Sequence, residues 1–285
     1  MTLKQITATL IGFFFHLILT KNYKTKLIKS FNPEFKLSLI EKFFFEFYFY
    51  YFMNRIYLKE TDPDKRFNYQ KICLGGFSDG LYWAKQEDTG AGVLVDFFKG
   101  EKFSKIYNII KQINDNTKQK ILVIQVGSST GREIAYFAKK FSNIQCLGID
   151  IYKSIIKWSS EKYSYNNLKY IHLEGHQLDK IFIENKNKKI IIFSEGSIEF
   201  MQPEHLEILF KKIQYYRNIR IILSEGYYKK KNNKLPAIYE KSFYNGGLHF
   251  THDYEYYAKK IGLRVNEFSI NSDENFCFFY AGDNS

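Results

Sequence analysis

The apolar positions follow two different patterns in the two parts of the chain. From Lys120 onward, short apolar runs alternate with longer segments of helical periodicity. Strands that alternate with helices predict a parallel sheet with helices on both faces. The predicted strands are 121–124, 145–149, 168–173, 189–193, 220–223, 265–270 and 276–280, and the predicted helices are 132–141, 152–163, 203–215 and 251–261.

The ends of two predicted helices carry recognisable signals. Pro203 is favourable at the first position of a helix, and Gly262 follows the last predicted helix as a typical C-terminal cap. The link 271–274 between the last two strands is too short for a crossover helix. We therefore expect those strands to be antiparallel.

Residues 1–115 have a different pattern, which is rich in aromatic side chains and mostly helical. We predict loops near 32–33 and 61–64, and a glycine-rich loop region that includes 75–80 and 88–92, with helical periodicity again from Val93 to Ile113. The expected division is an N-terminal helical cap or substrate region at 1–115 and an α/β domain at 116–285.

Two strongly apolar runs occur in the N-terminal region, at 8–20 and 43–53. A run of roughly 10–14 apolar residues is shorter than a membrane span requires. No small-residue cleavage site follows the first run, so a signal peptide has little support. We expect helices that are buried or that lie against a partner or a membrane surface, and no transmembrane segment.

The composition adds a modest indication about partners and compartment. The formal net charge is +12, from 42 basic and 30 acidic residues, which favours anionic partners such as nucleic acid, a membrane surface or a phosphorylated substrate. The lysines are spread along the whole chain, as A- and T-rich coding sequence also produces. Three distant cysteines form neither a disulfide framework nor a zinc site, and we expect a cytoplasmic protein.

The most informative loop follows the first strand of the α/β region. Gly127 and Gly131 allow the backbone to approach a ligand closely, and the next helix directs its free N–H groups to the same place. Asp150 ends the second strand, where a carboxylate can accept both hydroxyls of a ribose. The dinucleotide pattern G-x-G-x-x-G does not fit, because Ser129 and Arg132 occupy two of its glycine positions.

This loop resembles the first motif of class I S-adenosylmethionine-dependent methyltransferases, usually written acidic-x-Gly-x-Gly-x-Gly. The sequence departs from it at Gln125 and Ser129. Further segments resemble later motifs of the family in the same order: 149–152, 174–177, 193–201, and 249–251 with 259–263. The resemblance spans Lys120 to the C-terminus and implies an α/β, Rossmann-like seven-stranded sheet with a C-terminal antiparallel strand pair, and S-adenosylmethionine as the cofactor.

The resemblance also assigns roles to individual residues. Ile151 would lie beside the adenine, and His176 or Gln177 would hold its amino group. The cofactor-binding residues implied are Gln125, Gly127, Ser128, Ser129, Thr130, Gly131, Asp150, Ile151, His176, Gln177, Ser194 and Glu195. Simpler interpretations remain open: glycines that serve strand-to-helix packing, an Asp150 that caps a helix, and a His176 in a surface loop.

Candidate general bases lie where the fourth and fifth strands end. Both strands end in Ser-Glu-Gly, and we expect Glu195 and Glu225 to flank one pocket with His249 and His252 folded over it. The catalytic candidates are His249, His252 and Glu195, since an unperturbed histidine titrates near neutrality. Thr251 and His252 could instead cap a helix. A Glu–Glu–His metal set is conceivable, but the paired acidic ligands of magnesium-dependent relatives are missing, and we expect no required metal.

Motifs that the chain lacks reduce the number of classes of methyl acceptor. It has no Asn/Asp-Pro-Pro-Tyr segment after the fourth strand and no cysteine that follows proline, which argues against DNA methylation. The aromatic N-terminal region suits an apolar or sugar acceptor. The general layout resembles that of sugar O-methyltransferases of bacterial surface polysaccharide pathways. This resemblance implies O-methylation of a small-molecule hydroxyl, such as a nucleotide- or lipid-linked sugar. An RNA or protein methyltransferase and a non-catalytic S-adenosylmethionine-binding protein are the alternatives, and the N-terminal region is able to contact a membrane surface in each case.

Overall fold

A computed structural model describes residues 3–32, 36–88, 101–227, 242–246, 248–271 and 275–282. The chain divides into two compact units, 1–82 and 83–285. The sequence pattern changes later, near residue 115, because the helix at 101–116 still has the periodicity of the N-terminal region. Phe103, Ile106 and Ile110 of this helix are nevertheless buried in the core of the second unit.

The first unit is helical, as predicted. Its α-helices are α1 (Leu3–Ile18), α2 (Lys21–Lys29), α3 (Leu39–Tyr51), α4 (Pro63–Gly75) and the start of α5 (Leu81–Asp88). A capping box between Ser38 and Glu41 begins α3, and Asp62 accepts backbone N–H bonds at the start of α4. Part of the predicted glycine-rich loop and the start of the helix predicted from Val93, residues 89–100, lie outside the described residues.

The second unit contains a seven-stranded sheet in the order β3-β2-β1-β4-β5-β9-β8. Its strands are β1 (Ile121–Val126), β2 (Ile144–Asp150), β3 (Leu168–His172), β4 (Lys189–Glu195), β5 (Ile219–Gly226), β8 (Val265–Asn271) and β9 (Phe276–Gly282). The first five strands are parallel to one another, and β9 is antiparallel to both β5 and β8. The predicted sheet with its C-terminal antiparallel pair is therefore confirmed.

Helices cover both faces of this sheet and form two apolar cores. On one face lie α6 (Glu101–Asn116) and α7 (Arg132–Lys140), and on the other lie α9 (Asp179–Glu184), α10 (Pro203–Tyr215) and α11 (Tyr254–Lys260). The remaining helix, α8 (Lys153–Lys162), contacts β2 and β3. The carboxyl ends of the five parallel strands lie at the same edge of the sheet, and ligands bind at this edge in sheets of this kind.

The predicted helix at 251–261 is wrong at its start. Residues 249–252 form strand β7 (His249–His252), which pairs with β6 (Ser242–Gly246) in a separate two-stranded sheet. Helix α11 begins only at Tyr254, where the Asp253 carboxylate accepts the N–H of Tyr256. A four-residue strand leaves too short a pattern to distinguish from a helix, and its partner strand was not predicted. Helix α9 was also missed.

None of the helices in the described part of the chain is both long enough and apolar enough to cross a bilayer.

Candidate functional site

The loop between β1 and α7 has a backbone conformation that residues other than glycine rarely adopt. Gly127, Ser129 and Gly131 have φ angles of 70°, 42° and 74°, all in the left-handed region. The N–H of Ser128 donates to the carbonyl of Ile149 at 2.9 Å, so the loop is attached to β2. Left-handed backbone is easily adopted by glycine, which explains the glycines at 127 and 131.

Gln125 joins the end of β1 to the first turn of α7. Its side-chain oxygen accepts the N–H of Ile134 at 3.2 Å, and its side-chain nitrogen donates to the Glu133 carboxylate at 3.2 Å. The side chain is 4 % exposed. Gln125 therefore ties the end of β1 to the helix, and both polar atoms of its amide are bonded within the protein.

Asp150 is bonded to the same loop at the end of β2. Its carboxylate accepts the N–H of Ser129 at 3.0 Å and the N–H of Tyr152 at 3.1 Å. Burial raises the pKa of Asp150 to about 6, while these N–H bonds oppose the shift. The N–H of Ile151 also bonds to this carboxylate. A carboxylate accepts about four hydrogen bonds, so Asp150 can order the backbone and still accept a further hydroxyl group.

The predicted adenine-side residues lie in the loop after β3. Gly175 in this loop packs against the end of β1, since a Cβ there would lie 2.9 Å from a Val126 side-chain carbon. The half-buried His176 ring stacks on His205 of α10 with 3.9 Å between ring centroids, and the exposed Gln177 bonds to Glu174. The loop thus reaches the site, but its histidine already contacts a neighbouring ring.

A second loop, after β4, lies directly on the glycine loop. The Ser197 hydroxyl is 3.4 Å from the carbonyl oxygen of Gly127, and a Cβ on Gly127 would lie 2.2 Å from that hydroxyl oxygen. Thr130 and Ser194 are fully buried, whereas Ile151 and Glu195 are half-buried. Ser197 was not among the predicted site residues, because nothing in the sequence indicates which side chain covers the glycine loop.

The prediction that Glu195 and Glu225 flank one pocket is wrong. Glu195 is paired in register with Ser224, and successive side chains of a strand point to opposite faces of the sheet. Glu225 is fully buried on the other face, where it interacts with the Ser194 hydroxyl and accepts the N–H of Glu199 at 3.1 Å. Both strands end in Ser-Glu-Gly, but β4 and β5 pair with these endings offset by one residue, and the sequence does not show that offset.

Glu225 and Glu199 hold the loop after β4 against the end of β5. Glu225 accepts N–H groups of the short 3-10 turn Ile198–Phe200, and the N–H of Gly226 bonds to the Glu199 carboxylate. Burial raises the pKa of both carboxyl groups, and the proximity of Glu199 raises that of Glu225 further. At neutral pH the pair therefore favours a state in which at least one carboxyl is protonated.

The two candidate histidines occupy different environments on β7. His252 is fully buried, and burial lowers its pKa to about 3 although its ring hydrogen-bonds to the backbone of Met201 and Ile198. A neutral imidazole used in this way supports the loop and is a poor proton acceptor. His249 is half-buried, with its ring centroid 5.8 Å from that of Phe200. The structure thus distinguishes His249 from His252 by their burial, which the sequence could not do.

Comparisons with known proteins agree with this geometry. Residues 119–194 match a family model described as "Putative methyltransferase". Magnesium protoporphyrin IX methyltransferase from Synechocystis PCC 6803, solved with bound SAM, is 12 % identical, with a TM-score of 0.52 over 79 % of this chain and 99 % of its own. The fold is that of a class I methyltransferase. No curated protein matches the chain in sequence.

Two further solved structures are similar to this chain. A structure described as a putative S-adenosylmethionine dependent methyltransferase from Listeria monocytogenes is 15 % identical, with a TM-score of 0.43 over 61 % of this chain and 97 % of its own. The 1,6-didemethyltoxoflavin-N1-methyltransferase of Burkholderia thailandensis is 10 % identical, with a TM-score of 0.46 over 72 % of this chain and 86 % of its own.

The residues of this methyltransferase fold suit S-adenosylmethionine. The left-handed glycine loop would let the backbone approach a ligand closely, and the Asp150 carboxylate keeps acceptor capacity for a ribose hydroxyl. Among the described residues, the fully buried Ser128 hydroxyl has no hydrogen-bond partner. A buried polar group without a partner is costly, which is consistent with a ligand that completes the loop.

Proposed function

We propose that the protein transfers a methyl group from S-adenosylmethionine to the hydroxyl of a small molecule, such as a nucleotide- or lipid-linked sugar. The observation that carries this proposal is the coupling of Asp150 to the glycine loop, where one carboxylate orders the Ser129 backbone and still offers acceptor sites. The methyltransferase fold and the match over 119–194 support the reaction type.

S-adenosylmethionine, when bound, supplies an electrophilic methyl group whose transfer breaks a carbon–sulfur bond. In this proposal Asp150 holds the ribose, Gly127 and Gly131 let the backbone approach, and Ser197 encloses the ligand from the side of β4. Enclosure of this kind orients the two reactants, which is the main contribution that an enzyme can make to an in-line transfer.

His249 is the favoured general base in this proposal. A hydroxyl acceptor must lose its proton as the new oxygen–carbon bond forms, and a base contributes about 10²–10⁴-fold to such a step. His249 is partly accessible beside the turn that follows β4, whereas His252 is fully buried. The proton would pass from the acceptor hydroxyl to the His249 imidazole and then to solvent.

Calorimetric titration with S-adenosylmethionine and S-adenosylhomocysteine tests the cofactor. We expect the wild type to bind both and Asp150→Ala to bind about a hundredfold more weakly, because hydrogen bonding to a charged group is lost. Asp115→Ala, on the exposed surface of α6, is the matched control and should bind normally. Failure of the wild type to bind either ligand would overturn the proposal.

A screen of methyl acceptors then tests the substrate class. With labelled cofactor, we expect methylated product from hydroxyl-bearing small molecules, including nucleotide-linked sugars, and about a hundredfold slower turnover by His249→Ala with unchanged cofactor binding. Methylated RNA or protein without a methylated small molecule would overturn the proposed acceptor. Cofactor binding without turnover on any acceptor would contradict the enzymatic role.

A further inference from the structure

The first unit exposes a cluster of large apolar side chains. Helix α1 presents Ile6, Leu10, Phe13 and Leu17 to solvent, and their helical spacing gives one continuous stripe. The opposite face of α1 packs on α3, where Phe15 is buried and a Cβ on Gly12 would lie 2.4 Å from the Tyr51 Cβ. Helix α1 therefore has two apolar faces: one packs on α3, and the other is exposed to solvent.

The antiparallel packing of α1 and α3 brings two exposed apolar segments to one end of the pair. The Phe13 ring lies 5.9 Å from the Tyr51 ring, and the Phe15 ring lies 6.1 Å from that of Phe43. The end of α1 is thus beside the start of α3. The resulting apolar end consists of side chains that are 52–84 % exposed, namely Phe14, Leu17, Ile18, Leu39, Ile40 and Phe43.

Exposed apolar residues in the second unit have a different distribution. Among the described residues they are scattered over several elements, with Ile183 on α9, Ile208 and Tyr215 about two turns apart on α10, and Ile270 on β8. Scattered apolar side chains are normal on a protein surface, but a contiguous patch marks an interaction site. The apolar end of α1 and α3 is therefore the surface that needs an occupant.

Positive charge borders this apolar end. Lys21 is the first residue of α2, three positions after the end of α1, Lys36 precedes the capping box of α3, and Lys42 is adjacent to Phe43. All three are exposed, and none forms an ion pair with any residue the structure describes. Glu41 is nearby, but it is paired with Lys26. An apolar helix face bordered by lysines is typical of a helix that lies in the surface of an anionic bilayer.

We propose that the apolar end of α1 and α3 docks on an anionic lipid bilayer, with its aromatic and aliphatic side chains in the interface and Lys21, Lys36 and Lys42 beside lipid phosphates. The charge complementarity selects lipid over a second copy of this lysine-bordered surface, which would repel itself. The proposal rests on the first unit and is independent of the methyl acceptor.

Co-sedimentation of the full-length protein with vesicles tests this docking. We expect binding to phosphatidylcholine vesicles that contain phosphatidylserine, weaker binding without phosphatidylserine, and weaker binding as salt is raised. Leu17→Ser/Leu39→Ser/Ile40→Ser should reduce binding about tenfold or more, since each side chain loses most of its transfer free energy. Lys36→Glu/Lys42→Glu should remove the preference for phosphatidylserine.

Matched variants in the second unit serve as controls. Ile183→Ser/Tyr215→Ser removes equally exposed apolar side chains, and Lys139→Glu/Lys157→Glu reverses equally exposed charges, so both should bind vesicles like the wild type. Unchanged circular dichroism and cofactor affinity would show that all variants fold. The proposal is overturned if the wild type ignores both kinds of vesicle, if the controls lose binding equally, or if the apolar variant only abolishes self-association.

Discussion

The two halves of the candidate site differ in the chemical groups that form them. At the carboxyl ends of β1 and β2, the site consists of backbone in a left-handed loop, held by the Asp150 carboxylate. At the carboxyl ends of β4 and β5, it consists of ionisable side chains. The fully buried Glu225 and His252 bond to the backbone of the turn that follows β4, and Glu199 on that turn accepts the N–H of Gly226. The first half offers groups to a ligand, whereas the second mainly holds its own loop in place.

Because of this difference, we expect one edge of the site to determine ligand affinity and the other to determine the stability of the fold. In the described part of the chain, the β1–β2 edge has left-handed residues and a buried Ser128 hydroxyl without a hydrogen-bond partner, and both features are costly unless a ligand offsets them. The β4–β5 edge keeps protonatable groups away from water, so its stability must depend on pH. Substitutions at the first edge should therefore change affinity, and substitutions at the second should change stability.

The largest effect is expected from Gly127→Ala. The new Cβ would lie 2.2 Å from the Ser197 hydroxyl oxygen, and alanine disfavours the φ of 70°. We expect affinity for S-adenosylmethionine to fall about a hundredfold, because the loop and its cover must both shift, with strain of about 1–3 kcal/mol. Isothermal titration measures the affinity.

Gly196→Ala and Gly262→Ala are matched controls for this change. Both glycines have a left-handed φ, 61° and 71°, but a Cβ at either meets no atom of the described residues within 4 Å. They should cost about 1 kcal/mol of stability and little affinity. If all three variants bind equally well, close packing at Gly127 has no role in the ligand site, and the proposed contrast between the two edges is lost.

A smaller effect, on stability, is expected from His252→Leu. The buried imidazole bonds to the backbone of Met201 and Ile198, so its removal should lower the free energy of unfolding by about 2 kcal/mol at pH 7. His249→Leu, on the same strand but half-buried, should change stability much less. Urea unfolding measures both.

The sign of the pH dependence follows from the lowered pKa of His252. The unfolded chain takes up a proton near the ordinary pKa of 6.5, whereas the folded chain does so only near 3. The contribution of His252 is thus complete above pH 6.5 and is lost as pH falls toward 3. The stability difference between wild type and His252→Leu should shrink over that range; a constant difference would contradict a neutral, buried role.

The same contrast explains how much the sequence could predict. The alternation of strands and helices and the antiparallel final pair follow from the pattern along one continuous segment, the family resemblance implied seven strands, and the predicted sheet was confirmed. The β4–β5 edge combines three distant segments, so a register offset and a two-stranded sheet decided which residues meet. Neither leaves a local pattern, and the predicted roles of individual site residues, including His249 and Glu195, remain predictions.

A second effect on stability is expected from Glu225→Gln, and it should have the opposite pH dependence to that of His252. Burial and the nearby Glu199 raise the pKa of Glu225 to about 8, against an ordinary value of 4.5. The folded chain therefore retains a proton that the unfolded chain has released, and wild-type stability should fall as pH rises from about 5 through 8. Glutamine carries no charge, so the variant should lose most of this decline and gain stability relative to wild type between pH 5 and pH 9. Thermal unfolding across this range measures the slope, with Glu161→Gln on the exposed face of α8 as the control. A variant that keeps the wild-type slope would show that the buried carboxyl pair does not titrate in the folded state, and the β4–β5 edge would then lose its distinguishing chemistry.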